Sequence, residues 1–210
     1  MPAEIPIVIL GGGEGRRLGG SVKALIDIDG TRLVDRVASR LTPQSKSLSL
    51  CLRSRADWAA DVALDIITDW TPEGDDTVGP MGGVIAALDW TNARGDQHVL
   101  TVPVDCPFVP QDLATRLGAA MTPNTEIAVA MSGGRRHHLA ALWRTEIAGK
   151  VRENVVRGER AIHAVQEKFT VKTVEWPCQP YDPFFNINTP DDLSRARAMV
   201  AQGPNASMPT

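Results

Sequence analysis

The chain has 210 residues, which is enough for one α/β domain with a sizeable buried core. Its 22 basic and 25 acidic residues leave a formal charge of −3. This balance argues against a general nucleic-acid binder, because affinity for a phosphate backbone needs concentrated positive charge. Apolar runs such as residues 5–10 are strand-sized and predict no membrane span, and residues 1–6 lack the basic region of a signal peptide. Cys51, Cys106 and Cys178 form no CxxC pair, so we expect neither a zinc site nor disulfides, and we expect a reducing cytoplasm around the protein.

Strand-like and helical patterns alternate along the chain. The predicted strands are residues 6–10, 47–52, 62–68, 98–102, 126–131 and 169–174. The predicted helices are residues 33–41, 83–92, 112–121 and 145–155, with a last one beginning at residue 190. This alternation predicts the α/β class: a single-domain three-layer sandwich around a mostly parallel, Rossmann-like sheet. We assign residues 1–201 to that domain and expect the polar, proline-containing tail 202–210 to be disordered.

The start of the last helix carries a capping pattern. Thr189 is suited to cap it, Pro190 to occupy its first position, and Asp192 follows three residues after the cap. The pattern predicts a sharply defined helix entry.

A glycine-rich loop, residues 10–23, follows the first predicted strand directly. Glycines allow the backbone to approach a ligand closely and to point several N–H groups at phosphate oxygens, and Arg16, Arg17 and Lys23 add positive charge. Open α/β sheets bind ligands at this end of the first strand, which favours phosphate binding over a flexible surface loop. The loop does not match the Walker A motif GxxxxGK[ST], because no lysine stands at the required spacing. It does not match the dinucleotide-binding motif GxGxxG either, because Arg16 occupies the position of the last glycine.

The spacing resembles the nucleotidyltransferase signature L-A-G-G-x-x-x-R-M-G-x-x-x-K. The matching residues are Gly12, Gly13, Arg17, Gly19 and Lys23, with Gly11 in place of Ala and Leu18 in place of Met. Within that superfamily the chain resembles the molybdenum cofactor guanylyltransferases, the MobA family, although Val22 stands where that family usually has Asp. The resemblance implies a sheet of the nucleotide-diphospho-sugar transferase type.

Asp105 follows the strand predicted at 98–102 and is flanked by prolines. A carboxylate at a strand end beside a triphosphate site suits Mg²⁺, but sequence chemistry alone equally allows an Asx-turn that satisfies backbone N–H groups. The segment V-P-V-D-C-P-F-V-P resembles the family's strand-end motif, and this resemblance implies that Asp105 binds the metal.

Asp69 ends another predicted strand, and residues 79–83 read Gly-Pro-Met-Gly-Gly. The pair resembles the family's D…GPLAG segment, which implies that Asp69 contacts the nucleotide and that a helix starts nearby. As an alternative, Asp69 is a turn former ahead of Thr71 and Pro72. The family's further nucleotide-contacting Asn falls near residues 51–54, where this chain has none, so its replacement is open.

The C-terminal third contains Gly158-Glu159-Arg160 and F-F-N-I-N-T-P, which also resemble family motifs. They imply that Arg160, Asn186 and Asn188 lie near the acceptor, although the two asparagines are equally suited to stabilising the helix entry. The basic segment 132–138 is either a phosphate-binding loop for the second substrate or a solvated hairpin turn.

The resemblance implies transfer of GMP from GTP to molybdopterin carrying molybdenum, with Mg²⁺ as cofactor and with contacts to molybdoenzymes or cofactor chaperones. The assignments are Arg17, Lys23 and Asp105 to catalysis, and Leu10, Gly11, Gly12, Gly13, Lys23, Asp69 and Asp105 to the nucleotide. The alternatives are a cytidylyltransferase or sugar-phosphate nucleotidyltransferase, a non-catalytic nucleotide-binding module, and a nicotinamide oxidoreductase. Guanine against cytosine preference, the acceptor and the oligomeric state are not determined by the sequence.

Overall fold

The computed structural model describes residues 5–12, 14–15, 21–73 and 78–202. The strands are β1 (Ile5–Leu10), β2 (Glu14–Gly15), β3 (Ser21–Val22), β4 (Asp27–Ile28), β5 (Thr31–Arg32), β6 (Ser45–Leu52), β7 (Asp65–Thr68), β8 (His98–Pro103), β9 (Ile127–Ser132), β10 (Arg135–Arg144) and β11 (Val171–Trp176). The helices are α1 (Leu33–Leu41), α2 (Pro80–Asn92), α3 (Leu113–Ala120), α4 (Ala148–Val156), α5 (Ile162–Gln166) and α6 (Pro190–Gln202). Short 3₁₀ turns lie at Lys23–Leu25, Thr42–Gln44, Asp57–Asp61 and Thr145–Ile147.

Seven strands form one sheet in the order β11-β9-β10-β8-β1-β6-β7. All neighbouring pairs are parallel except those of β10, which is antiparallel to both β8 and β9. The predicted α/β class and mostly parallel sheet are therefore confirmed. β10 was not predicted as a strand, although the hairpin reading of residues 132–138 anticipated the turn at Gly133 and Gly134 that precedes it.

The alternation of side chains along the strands builds a hydrophobic core on each face of the sheet. Ile7 and Ile9 of β1 pack with α1 and α3 on one face, whereas Val8 packs with α2 and α4 on the other. α6 closes a third, smaller cluster with residues of the β4–β5 hairpin. Helices on both faces confirm the three-layer arrangement.

Most predicted element boundaries lie within three residues of those observed. The largest shift at a strand is at β7, which begins at Asp65 because residues 62–64 form a bend instead. The turn at Asp29 and Gly30 joins β4 to β5 with positive φ at both residues. No helix in the described part of the chain has the length and apolar composition needed to cross a membrane.

Candidate active site

The carboxyl ends of four adjacent strands, β8, β1, β6 and β7, bring the predicted site residues to one edge of the sheet. Backbone hydrogen bonds continue beyond the strands and fix this edge. The Leu10 carbonyl accepts from Val104 N–H at 3.1 Å, Gly11 N–H donates to the Cys51 carbonyl at 2.8 Å, and Asp69 N–H donates to the Leu52 carbonyl at 2.8 Å. Loops leaving such an edge are where open α/β sheets bind ligands.

Lys23, Asp105 and Asn188 meet at this edge although 165 residues separate the first from the last. The Lys23 ammonium donates to Asp105 Oδ2 at 2.8 Å and to Asn188 Oδ1 at 2.6 Å. The side chains of Lys23 and Asp105 are only 14% and 15% exposed. Because water is largely excluded, the opposite charges interact more strongly than they do on a surface. The structure thus brings together three residues that were predicted separately for the nucleotide and the acceptor.

Asn188 reaches Lys23 because the chain before α6 is pinned to the end of β8. Ile187 N–H donates to the Asp105 carbonyl at 3.0 Å, and Cys106 Sγ donates to Asn186 Oδ1 at 2.9 Å. Burial raises the pKa of the Cys106 thiol well above its ordinary value, so the thiol keeps its proton and acts as a donor. Asn186 therefore helps to place the segment, while the Asn188 side chain faces the lysine.

The helix entry itself is stabilised by other residues than the two asparagines. Asp192 Oδ2 accepts the N–H groups of Asn188 at 3.0 Å and Thr189 at 2.9 Å, and Asp192 N–H donates to Thr189 Oγ1 at 3.1 Å. This reciprocal pair is the predicted cap of α6. The side chains of Asn186 and Asn188 take no part in this cap: Asn186 accepts from the Cys106 thiol and Asn188 accepts from Lys23.

Asp69 occupies the other end of the edge, after β7, and faces the glycines at the ends of β1 and α2. A Cβ added to Gly12 would lie 3.3 Å from Asp69 Oδ2, and one on Gly83 would lie 3.3 Å from Asp69 Oδ1. Cys51 Sγ donates to the same Oδ1 at 3.1 Å. Burial raises the pKa of Asp69, while the Cys51 thiol and the charge of Arg53 oppose the shift.

The Gly-Pro-Met-Gly-Gly segment starts α2, as predicted, and lets the helix approach β7 closely. Gly79 has φ of +65° and Pro80 takes the first helical turn. A Cβ on Gly82 would lie 2.7 Å from the Trp70 carbonyl oxygen, so only glycine fits there. Trp70 N–H in turn donates to the Gly82 carbonyl at 3.1 Å.

The glycine-rich loop is described only in part. Gly13 and Arg17 lie outside the described residues, as does the tail beyond residue 202. Gly11 is buried and its N–H bonds to Cys51, so a phosphate contact through this group would require that bond to break. Gly12 is exposed beside Asp69.

Arg160 and the basic segment 132–138 were also predicted as candidate parts of the site. Arg160 is exposed in the connection between α4 and α5. In segment 132–138, Arg135 and Arg136 are exposed at the start of β10, while His137 is half-buried. His137 Nε2 lies 2.6 Å from Ser132 Oγ and its ring stacks on Phe184 at 4.5 Å.

Sequence reasoning did not identify Cys51, Cys106, Ser132 and Asp182 as supports of the site. Each of them acts through contacts between residues at least 18 positions apart, such as Ser132 Oγ to Asp182 Oδ1 at 2.7 Å. No local spacing pattern signals such a contact. Arg53 lies exposed just after β6, within residues 51–54, where the family's Asn was expected.

A mostly parallel sheet that presents a lysine–aspartate pair beside a glycine-rich loop is the arrangement expected of a nucleotidyltransferase. Solved structures of similar fold include molybdopterin-guanine dinucleotide biosynthesis protein A from Archaeoglobus fulgidus, with TM-score 0.74 and 24% identity, covering 94% of this chain and 99% of that one. The 2-C-methyl-D-erythritol 4-phosphate cytidylyltransferase from Thermus thermophilus aligns with TM-score 0.63 and 21% identity, covering 93% and 98%. At these identities the likeness concerns the fold alone.

The chain belongs to the MobA-like NTP transferase family, whose model matches residues 7–172. It is 40% identical over 199 residues to a molybdenum cofactor guanylyltransferase of Rhodopseudomonas palustris, covering 93% of each protein. It is 39% identical over 203 residues to the protein of the same name from Rhizobium meliloti, covering 93% of this chain and 91% of the relative.

Proposed function

We propose that this protein transfers GMP from GTP to the terminal phosphate of molybdopterin carrying molybdenum, with release of pyrophosphate. Two relatives named molybdenum cofactor guanylyltransferase, 39–40% identical over nearly the whole chain, support the choice of substrates. The observation that carries the proposal is the convergence of Lys23, Asp105 and Asn188 at the end of β8, beside the glycine-rich loop.

The order of strands suggests how the nucleotide lies along the edge. Asp105 follows β8, the glycine-rich loop follows β1, Arg53 follows β6 and Asp69 follows β7. Three inter-strand spacings of about 4.8 Å place the two outer strands roughly 14 Å apart, which is room for an extended nucleotide. The reacting phosphates then lie at β8 and β1, and the nucleoside lies toward β6 and β7.

The proposed reaction is attack of an acceptor phosphate oxygen on the α-phosphorus of GTP, with pyrophosphate as leaving group. Such transfers depend on positioning and charge neutralisation rather than on a covalent nucleophile. Lys23 would offset phosphate charge after exchanging one of its present partners for a phosphate oxygen. Gly12, together with Gly13 and Arg17, would hold the phosphates, and Leu10 and Gly11 would support that loop from below.

The donors at this edge fit Mg²⁺. Asp105 offers a carboxylate and Asn188 an amide oxygen, and Mg²⁺ is commonly bound through one or two carboxylates together with substrate phosphates. Among the described residues no group of three or more His, Cys, Asp or Glu side chains is placed to hold a metal ion. Bound at this edge, Mg²⁺ would neutralise charge on the triphosphate.

On the acceptor side, Asn188 is the best-placed of the predicted residues, because its amide already reaches the Lys23 ammonium. Asn186 would shape the segment that carries Asn188, and Arg160 would make an outer contact with the acceptor.

Cytoplasmic location suits the three free cysteines, whose thiols stay reduced there. Contacts with molybdoenzymes or cofactor chaperones stay a prediction.

The test is to incubate the purified protein with GTP, Mg²⁺ and molybdenum-loaded molybdopterin and to measure pyrophosphate and the dinucleotide product. We expect pyrophosphate release that requires both substrates. Release with CTP in place of GTP would identify a cytidylyltransferase instead. Binding of GTP without pyrophosphate release in the presence of acceptor would identify a non-catalytic module.

A further inference from the structure

Segment 182–188 crosses the active edge without belonging to any strand or helix. It carries Asn186 and Asn188 past the end of β8 before α6 begins. No regular hydrogen-bond ladder holds this segment, so its position depends on a few individual contacts: the backbone bond from Ile187 N–H to the Asp105 carbonyl near one end and side-chain contacts at the other.

The N-terminal end of the segment is anchored on β9. Ser132, the last residue of β9, is 2% exposed, and its hydroxyl donates to Asp182 Oδ1 at 2.7 Å. Phe184 N–H donates to the same oxygen at 2.9 Å, so the carboxylate ties the segment to the strand and also fixes its own turn. An edge-on contact with the Trp176 ring at 5.5 Å holds Phe184 from the other side.

His137 also contacts Ser132, and counting the available hydrogens shows which atom donates in this contact. The Asp182 carboxylate only accepts hydrogen bonds, and Ser132 has a single hydroxyl hydrogen, which goes to Asp182. His137 Nε2, at 2.6 Å from Ser132 Oγ, therefore carries a hydrogen and donates it. Burial lowers the pKa of His137 to about 4, so the ring is neutral near pH 7 and this arrangement persists.

The geometry points to Ser132 and Asp182 as positioning residues that place Asn188, and through it the Lys23 ammonium, for the proposed nucleotidyl transfer. The inference rests on the proposed function. The connection runs from Asp182 through the Cys106–Asn186 and Ile187–Asp105 hydrogen bonds to the Asn188–Lys23 contact. Neither Ser132 nor Asp182 touches the lysine or Asp105 in the described contacts.

Two magnitudes separate this role from a merely structural one. One hydrogen bond from a hydroxyl to a carboxylate is a modest part of the folding free energy, whereas misplacing a reacting group by about 1 Å lowers turnover by roughly a hundredfold. Loss of the Ser132 hydroxyl is therefore expected to change kcat far more than the melting temperature.

The experiment compares Ser132→Ala and Asp182→Ala with Asp182→Asn and with Thr145→Val. Asp182→Asn keeps an acceptor oxygen for Ser132 and Phe184. Thr145 is a matched buried hydroxyl, 6% exposed and bonded to the Asp96 carbonyl at 2.9 Å, at the opposite edge of the sheet. Asp182→Ala breaks the same anchor from a half-buried position and serves if Ser132→Ala does not fold.

We expect kcat to fall at least tenfold in the two alanine variants, with the Kd for GTP within about twofold of wild type. Asp182→Asn should remain within about threefold of the wild-type kcat, and Thr145→Val should leave kcat unchanged. A wild-type kcat in Ser132→Ala, or an equal loss in Thr145→Val, overturns the inference.

A second readout does not depend on activity. The ¹H–¹⁵N side-chain amide signal of Asn188 in the ligand-free protein should shift in Ser132→Ala and stay in place in Thr145→Val. The amide of Asn154, which donates to the Lys150 carbonyl on α4, provides an internal control. An unshifted Asn188 signal in Ser132→Ala contradicts the positioning role, whatever the activity of the protein. Absence of pyrophosphate release from the wild-type protein rejects the proposed function instead, so the two failures can be told apart.

Discussion

Lys23 is the residue on which the proposed chemistry depends most directly. It is a largely buried cation with two oxygen partners, and both partners lie where a triphosphate would arrive. An ammonium in such a place is preorganised, so in the proposed reaction it would neutralise developing charge without the cost of reorganising water.

Lys23→Ala is expected to lower kcat by about two orders of magnitude or more, because this charge is lost where it acts on the phosphates. Pyrophosphate release measures the effect, and circular dichroism checks the fold. Lys46→Ala is the matched control: Lys46 also pairs with a carboxylate, Asp96, at 2.7 Å, but its side chain is 47% exposed. A Lys23→Ala protein that is unfolded, or that keeps its turnover, contradicts the assignment.

Arg53 takes the place where the family's nucleotide-contacting Asn was expected. It is exposed at the end of β6, its backbone N lies 3.7 Å from a Cβ built on Gly12, and its charge lowers the pKa of Asp69 against the effect of burial. A guanidinium offers paired donors to phosphate oxygens or to the O6 and N7 acceptors of guanine.

For Arg53→Ala we expect the Kd for GTP to rise about tenfold, equivalent to roughly 1.4 kcal/mol, with little change in melting temperature because the side chain is exposed. Isothermal titration with GTP and Mg²⁺ measures the affinity. Arg94→Ala removes an exposed arginine that stacks on Trp90 at the far end of α2, and should leave the Kd unchanged. Equal affinities for Arg53→Ala and wild type would remove Arg53 from the nucleotide site.

At the scale of elements, α6 and β10 show different limits of sequence reasoning. The cap of α6 was predicted because Thr189, Pro190 and Asp192 are neighbours in sequence and their contacts are local. β10 was missed because its antiparallel place between β8 and β9 is set by pairing with residues up to 46 positions away, as for Arg144 and His98. A local sequence pattern does not specify which distant strand will pair with a given segment.

The cap of α6 gives a pH-dependent prediction. Partial burial alone would raise the pKa of Asp192, but the hydrogen bonds from Asn188 and Thr189 lower it overall. A carboxylate with a depressed native pKa stabilises the fold above its unfolded pKa near 4, and this stabilisation is lost as pH falls through the native value. Asp192→Asn should therefore cost about 1 kcal/mol at pH 7 and almost nothing once both states are protonated.

Urea unfolding of wild type and Asp192→Asn at pH 7 and at acid pH measures that difference. Asp191→Asn, one position earlier on the exposed side of the same helix turn, is the control and should behave like wild type at both pH values. A cost that is independent of pH would show that the carboxylate charge is not what stabilises the cap.

At the scale of the whole molecule, the sheet joins two cores that face away from each other. Every central strand contributes alternate residues to both, as Ile9 and Val8 do on β1. Neither face can lose its packing without loosening the strands that hold the other, so the described fold should behave as one cooperative unit.

This coupling predicts a single unfolding transition. Ile9→Ala on one face and Ile85→Ala on the other, both fully buried, should each cost about 2–5 kcal/mol and should shift the same transition. Coincident urea curves from tryptophan fluorescence and far-ultraviolet circular dichroism would agree with one domain. Two separable transitions, each sensitive to only one of the variants, would contradict it.

The sequence by itself determined the class of fold, the strand-to-loop placement of the glycines, Asp69 and Asp105, and the cap of α6. These follow from periodicity and from contacts within a few residues, which are local properties of the chain. The resemblance of the glycine-rich loop then indicated the family, and the family match confirmed it.

Only the tertiary structure decided that Asn188 faces Lys23, that Asn186 bonds to the Cys106 thiol, and that Ser132 and Asp182 anchor the intervening segment. These contacts join residues 50 to 165 positions apart. They arise because parallel strands carry their ends to a common edge and because buried polar groups must then find partners there. Spacing along a single chain contains neither piece of information, and for that reason the supports of the site appear only in the folded molecule.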